Sequence, residues 1–199
     1  MNKYDVIIIG GGVSGLSCAI TLRSAKLKIE ELSNKNILVI DAGSSHLNMA
    51  ELHNVAGIKE GTKGSELLKS MVSKTLSYGI TLQSDNVISV SGNVGEFIVN
   101  TENQKFEASL IIFANGMQKI DVEGIGASVI GHIRAPRPGM VMIENTDGII
   151  SEGKYVTGCA AGATSMFSSA AGYGAQTATD IISLWLGKYT VIHDVLKKD

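Results

Sequence analysis

Residues 4–20 read YDVIIIGGGVSGLSCAI, and the fold turns on how the chain passes through the glycines in the middle. Val6 to Ile9 form a continuous β-branched run, which suits a strand buried on both faces of a parallel sheet. Beyond the glycines, Leu16, Ala19 and Ile20 recur at helical spacing, so the break is a strand-to-helix turn. Gly10, Gly12 and Gly15 fit G-x-G-x-x-G. In that pattern the first glycine allows the tight turn, the second lets a pyrophosphate approach the backbone, and the third lets the helix pack close to its strand. A helix beginning there, at Val13 and Ser14, aims unpaired N–H groups and the positive end of its dipole at bound phosphates. Ile37 to Ile40 (ILVI) read as a second buried strand that runs into Asp41. The Asp41 carboxylate can accept hydrogen bonds from an adenosine ribose and would repel a 2′-phosphate.

Outward from this unit, Asn34 to Asn36 make a polar turn before strand two. Residues 64–78 (GSELLKSMVSKTLSY) place Leu67, Leu68, Met71, Val72 and Leu76 on one helical face, with Gly79 as the stop. Short β signals follow at 80–83, 86–91, 96–101 and 105–108, which reads as a small meander inserted in the sheet. Leu110 to Ala114 (LIIFA) reads as a further buried strand running into Asn115-Gly116. Residues 117–147 lack a complete second dinucleotide turn, and APRPG within them reads as a loop. Lys154 to Thr157 is a last short strand, and a small-residue turn from Gly158 leads to a helix ending near Leu186-Gly187.

The composition sets limits. A chain of 199 residues, 44% hydrophobic, with 23 glycines and only two prolines, suits one turn-rich α/β domain spanning 1–199. Its formal charge of −2 offers no electrostatic case for nucleic acid or an anionic membrane. The first strand begins after three residues, no apolar stretch is long enough for a membrane span, and the two cysteines, Cys18 and Cys159, form neither C-x-x-C nor a metal-ligand spacing. A cytoplasmic, metal-free protein is the expectation.

With the glycine turn, Asp41, His53 to Gly57 (HNVAG), Phe113 to Gly116 (FANG) and Ala171 to Ala175 (AGYGA) in hand, the chain resembles the FAD-binding half of thioredoxin reductase-like flavoproteins, of the pyridine nucleotide-disulfide oxidoreductase type. The resemblance covers nearly all of it except 117–147. It implies a three-layer, doubly wound, Rossmann-like α/β domain with an inserted β-meander, built from segments 1–116 and 148–199. It further implies FAD, with diphosphate at Gly12 to Gly15, ribose on Asp41 beside Ala42 and Gly43, and adenine near the backbone of Val87. Ala114, Asn115 and Gly116 would lie along the dinucleotide. Asn54 and the start of the last helix, including Met166, would approach the isoalloxazine.

Three departures from the family pattern stand out. The 117–147 connection replaces a nicotinamide domain with its C-x-x-C. The family's Gly-Asp before the last helix reads Gly158-Cys159, and its Arg-Gln pair at the flavin edge is replaced near Ser165 and Met166. Cys159 reads either as packing or as a redox thiol activated by a helix N-terminus. Cys18 reads as packing. His46 and His53 lie in the loop assigned to the flavin and could move a proton, whereas His132 and His193 have no visible partner, and Arg134 and Arg137 read as solvated loop residues. No residue is assigned a catalytic role. The reading is a minimal flavin-dependent oxidoreductase supplied by an external donor, either a protein or a nicotinamide, and forming a homodimer. The alternatives are a non-catalytic dinucleotide-binding module and an NAD-binding, thiazole synthase-like enzyme.

Overall fold

The computed structural model describes residues 2–192; His193 lies outside them. β1 (Lys3–Ile9) pairs in parallel with β2 (Ile37–Asp41), Ile8 lying opposite Val39, and with a long strand, β8 (Lys105–Phe113), where Ile8 lies opposite Ile112. β5 (Thr81–Ser84) extends the sheet beyond β2, and β12 (Lys154–Val156) extends it beyond β8. The parallel order is therefore β12-β8-β1-β2-β5, with β11 (Ile149–Ser151) antiparallel at the β12 edge.

Because both faces of the central strands are covered, neighbouring residues feed two cores. Val6, Ile8, Val39, Leu110 and Ile112 face α1 (Val13–Lys26) and α3 (Phe167–Leu186). Ile7, Ile9, Leu38, Ile40, Ile111 and Phe113 face a second layer made by β6 (Val87–Ser91), β7 (Phe97–Thr101) and the chain between 117 and 143. This alternation is why the strand sequences are apolar throughout rather than at every second residue. The layers are thus helices, parallel sheet and antiparallel meander.

The meander differs in detail from the sequence reading. Residues 81–84 join the parallel sheet beside β2 instead, since their partners Leu38 to Asp41 present an open edge. Lys105 to Ala108 and Leu110 to Phe113 are one strand, β8, whose first half pairs antiparallel with β7 and whose second half serves the main sheet. One strand thereby belongs to two layers.

The connection 117–147 is folded into the core. Its stretch at Glu123 runs alongside β6, with Val90 N–H donating to Glu123 O and Glu123 N–H to Ile88 O, both at 2.9 Å. β9 (Val129–Gly131) and β10 (Val141–Ile143) form a hairpin that carries APRPG at its tip, and Ile120, Ile125 and Ile143 are buried against the sheet. Arg134 is exposed at the hairpin tip, as expected of a loop residue, and its Nη1 also donates to Gly162 O at 2.7 Å. His132 is buried, its Nδ1 accepting from Arg134 N–H at 3.0 Å. A further small hairpin, β3 (Glu51–Leu52) with β4 (Thr62–Lys63), carries His53 and Asn54 and leads into α2 (Gly64–Ser77). On α2, Leu76 is 54% exposed and Thr75 completes the inward stripe, its hydroxyl returning a hydrogen bond to Met71 O at 2.8 Å.

Candidate functional site

The strands of an open α/β sheet end at backbone that the next layer cannot cover, and the widest such gap forms where the chain reverses direction across the sheet. Here β1 leads to β2 on one side and β8 returns on the other. At that switch point a cleft of about 510 Å³ opens over the C-terminal ends of β1, β2 and β8. It reaches from the glycine turn past Asp41 and Val87 to Met166 and Phe167 at the start of α3. This size lies within the ordinary range for small-molecule sites.

The turn itself is fixed by contacts that only glycine permits. Gly10 has φ 117°, and a Cβ there would meet the Ala114 carbonyl; a Cβ on Gly15 would fall inside the van der Waals shell of the Gly10 carbonyl oxygen. Gly12 is different. Only Ser45 Oγ lies within 4 Å of its Cβ direction, at 3.7 Å, so its missing side chain opens space toward the cleft. The fold therefore uses Gly10 and Gly15 for packing and leaves Gly12 for close approach. Gly11, absent from the sequence-based site, proves as constrained: its N–H donates to Asp41 Oδ1 at 3.0 Å, and a Cβ would strike that carboxylate. This bond orients Asp41 and leaves its second oxygen for a ligand hydroxyl.

Two helix N-termini face the cleft. The N-cap residues are Gly12 for α1 and Met166 for α3, and neither end has a side-chain cap, so several first-turn N–H groups at each end keep no side-chain partner. The helices cross closely beneath, where Ser17 Oγ donates to Ala171 O at 2.9 Å and Gly174 leaves no space for a Cβ against the Ser14 carbonyl. Such ends suit negative charge.

Most of the expected residues meet in this one volume: Gly10, Gly12, Val13 and Ser14 from the turn, Asp41 and Ala42 after β2, Asn54, Val87, Ala114 to Gly116, and Cys159 with Met166. Gly15, Gly43 and Gly158 do not line it. Gly158, at φ 65°, packs against the Ser14 side chain and acts one layer behind. His46 lines the cleft, while His53 stands outside it, 55% exposed, with its Nδ1 3.4 Å from Glu60. Phe167, at the start of the last helix, lines the cleft as expected, and so do residues that sequence reasoning left unassigned, among them Ser45, Asp85, Gln118 and Lys119. Their common signal was position just beyond a strand or at a helix start.

The polar chemistry is specific. Asp85 accepts from Thr101 Oγ1 at 2.7 Å, Asn86 N–H at 2.8 Å and Asn103 Nδ2 at 3.0 Å; the Thr101 hydroxyl chiefly holds its carboxyl below the usual range. That network ties the end of β7 to the turn that leads into β6 at Val87. Asn115 Oδ1 is buried with no partner among the described residues, an acceptor that a ligand donor in the cleft would satisfy. Cys159 is not an activated thiol: burial pushes its pKa up, against a smaller opposing hydrogen bond with Ser165. Cys18 is fully buried and its pKa is raised further, again by burial, and both cysteines are free. No cluster of metal ligands and no helix long and apolar enough to cross a membrane occurs among the described residues.

The family model described as pyridine nucleotide-disulphide oxidoreductase matches residues 4–142. The chain belongs to that family. Among curated relatives, the thioredoxin reductase of Chlamydia pneumoniae is 27% identical over 63% of this chain and 40% of its own length. That of Borreliella burgdorferi is 25% identical over 83% and 48% respectively. The chain thus spans less than half the length of these relatives. Among solved structures, a thioredoxin reductase from Gloeobacter violaceus superposes with TM-score 0.76 at 13% identity, covering 99% of this chain and 100% of that one. A ferredoxin-flavin thioredoxin reductase from Clostridium acetobutylicum gives 0.68 at 17%, covering 94% and 100%. The expected α/β fold and kinship with thioredoxin reductase-like, pyridine nucleotide-disulphide oxidoreductase proteins are borne out. The cleft also fits the expected FAD, in the unpartnered Asn115 oxygen and the open cradle over Gly12.

Proposed function

We propose that this chain binds FAD in the switch-point cleft and works as a single-domain flavoprotein that takes electrons from an external donor. The observation that carries the reading is the pair of uncapped helix N-termini bordering one continuous cleft. The α1 end, with the N–H groups after Gly12, suits the diphosphate. The α3 end suits negative charge on the pyrimidine side of a reduced flavin. Asp41 takes the ribose through the oxygen that Gly11 leaves free, the backbone of Val87 borders adenine, and Asn115 Oδ1 accepts a hydrogen bond from the dinucleotide.

When bound, the flavin supplies the electron-transfer chemistry, while the protein binds, orients and shields it. Neither cysteine is arranged to exchange electrons with it, since no dithiol exists and the Cys159 thiol stays protonated at neutral pH. The donor is therefore external, a nicotinamide or a partner protein. The setting is a cytoplasmic homodimer, its pairing face drawn from exposed apolar residues such as Ile133, Met166 and Tyr173.

The inert Cys159 also favours a second reading, a module that holds the dinucleotide without turnover. The visible spectrum of the purified chain, followed by mass analysis of what it releases on heating, tests the first. Flavin bands and released FAD support it; a colourless protein that does not take up FAD at tens of micromolar overturns it. Reduction of the bound flavin by nicotinamides or reduced proteins separates a turning-over enzyme from a holding module.

A further inference from the structure

The opposite end of the sheet carries a second concavity, of about 270 Å³, where β1 and β2 begin and α1 ends. It is separated from the dinucleotide cleft by the length of β1, about 20 Å at the rise of an extended strand. Lys3, Arg23, Lys26 and Lys35 line it, with Asn36 and Thr81, and no Asp or Glu among the described residues does. Two of these cations have carboxylates behind them. Lys3 pairs with Glu107 at 2.8 Å and Lys35 with Asp5 at 2.9 Å, while Asp5 also accepts from Asn36 N–H at 2.8 Å.

Arg23 and Lys26 are placed differently. They stand three positions apart on the last turn of α1, both half-buried, and among the described residues their hydrogen bonds go to main-chain carbonyls: Arg23 Nε to Tyr78 O, and Lys26 Nζ to Lys35 O at 2.8 Å. The guanidinium keeps its Nη donors and the ammonium keeps two of its three. The C-terminal ends of α1 and α2 supply roughly half a negative charge each. Among the described residues, about one positive charge is left without a counterpart in the wall. Burial first, then the like charge of Arg23, lowers the Lys26 pKa, with Asp5 opposing. Lys26 thus loses hydration without a carboxylate in direct ion pairing among the described residues.

We propose that this pocket binds a phosphate-class anion, free or as the monoester of a small molecule, between Arg23 and Lys26. The pairing of a planar fork with a compact ammonium suits a tetrahedral oxyanion, which offers two oxygens to the guanidinium and a third to the lysine. Asn36 and Thr81 supply further polar wall. The volume admits the phosphoryl group with a few attached atoms and is too small for a dinucleotide. The site stands apart from the FAD reading, since no residue is shared between the two cavities.

Calorimetric titration of the full chain with inorganic phosphate at constant ionic strength, with FAD added to saturation and without it, tests the proposal. The expected result is saturable one-to-one binding, the same in both conditions and weakened at least tenfold in Lys26→Gln and in Arg23→Gln. Lys154→Gln, which removes another half-buried lysine bonded to a carbonyl, at the far edge of the sheet, leaves it unchanged. Lys26→Gln is the decisive variant, because Arg23 also anchors the end of α2 through Tyr78. A parallel titration with glycerol phosphate identifies the natural form by which of the two binds tighter. Absence of saturation up to tens of millimolar, persistence of binding in Lys26→Gln, or competition by FAD would each overturn the proposal.

Discussion

Replacing Asp41 by alanine tests the ribose assignment and the turn geometry together. In the structure Oδ1 already accepts the Gly11 N–H at 3.0 Å, so a bound ribose has Oδ2 as its partner. Hydrogen bonds to a charged group contribute about 1.5–3 kcal/mol each, and 1.4 kcal/mol is tenfold in affinity. Losing the ribose bond should therefore weaken FAD by about 10- to 150-fold. The Gly11 bond is part-buried and local, so the ligand-free protein should lose at most about 1 kcal/mol of stability. Asp41→Asn keeps an acceptor for Gly11 while removing the charge, and should fall between wild type and Asp41→Ala. Flavin fluorescence during titration of the apoprotein gives the affinities, and thermal melts of the apoproteins give the stability control. If Asp41→Ala binds FAD within threefold of wild type, with an unaltered melting temperature, the ribose does not sit on this carboxylate.

Further outcomes follow from individual contacts. Gly11→Ala should weaken FAD about as much as Asp41→Ala, because the new methyl displaces the same carboxylate; equal affinity with wild type would show that the carboxylate position is immaterial. Gly174→Ala forces α3 away from the Ser14 carbonyl and should cost about 1–3 kcal/mol in urea unfolding, as overpacking does; an unchanged midpoint would refute the close crossing. Asp85 has a depressed carboxyl, so the stability it lends is complete above the unfolded value of 3.8 and disappears as pH falls through the lower native value. Asp85→Asn should flatten the acid limb of the stability profile below about pH 4, a comparison that unfolding at stepped pH would settle. Cys159 should alkylate slowly with iodoacetamide at pH 7 and faster only as pH rises beyond the ordinary thiol range, with Cys18 slower still. Rapid, stoichiometric modification of Cys159 at neutral pH, read by mass spectrometry, would contradict its raised pKa.

Much of the site was legible because its requirements are local. The β-branched run, the three glycines and the acid after strand two act within one β-α-β unit, whose spacing is set by chain geometry. Gly11 was not, since its constraint comes from a side chain on the neighbouring strand. The hairpin inside 117–147 was hidden for a related reason: Ile120, Ile125 and Ile143 are spaced without a regular period, and only the sheet face they cover gives them a common direction.

By itself, then, the amino-acid sequence determined the parallel sheet, the glycine turn between strand and helix, and the family, because buried strands and glycine turns leave distinctive residue patterns. Tertiary structure alone decided that β8 serves two layers, that Cys159 is half-buried at the cleft wall, and that Arg23 and Lys26 meet at the base of the sheet. These depend on which distant surfaces come into contact, and neither burial nor the pairing of charges is encoded at any single position along the chain.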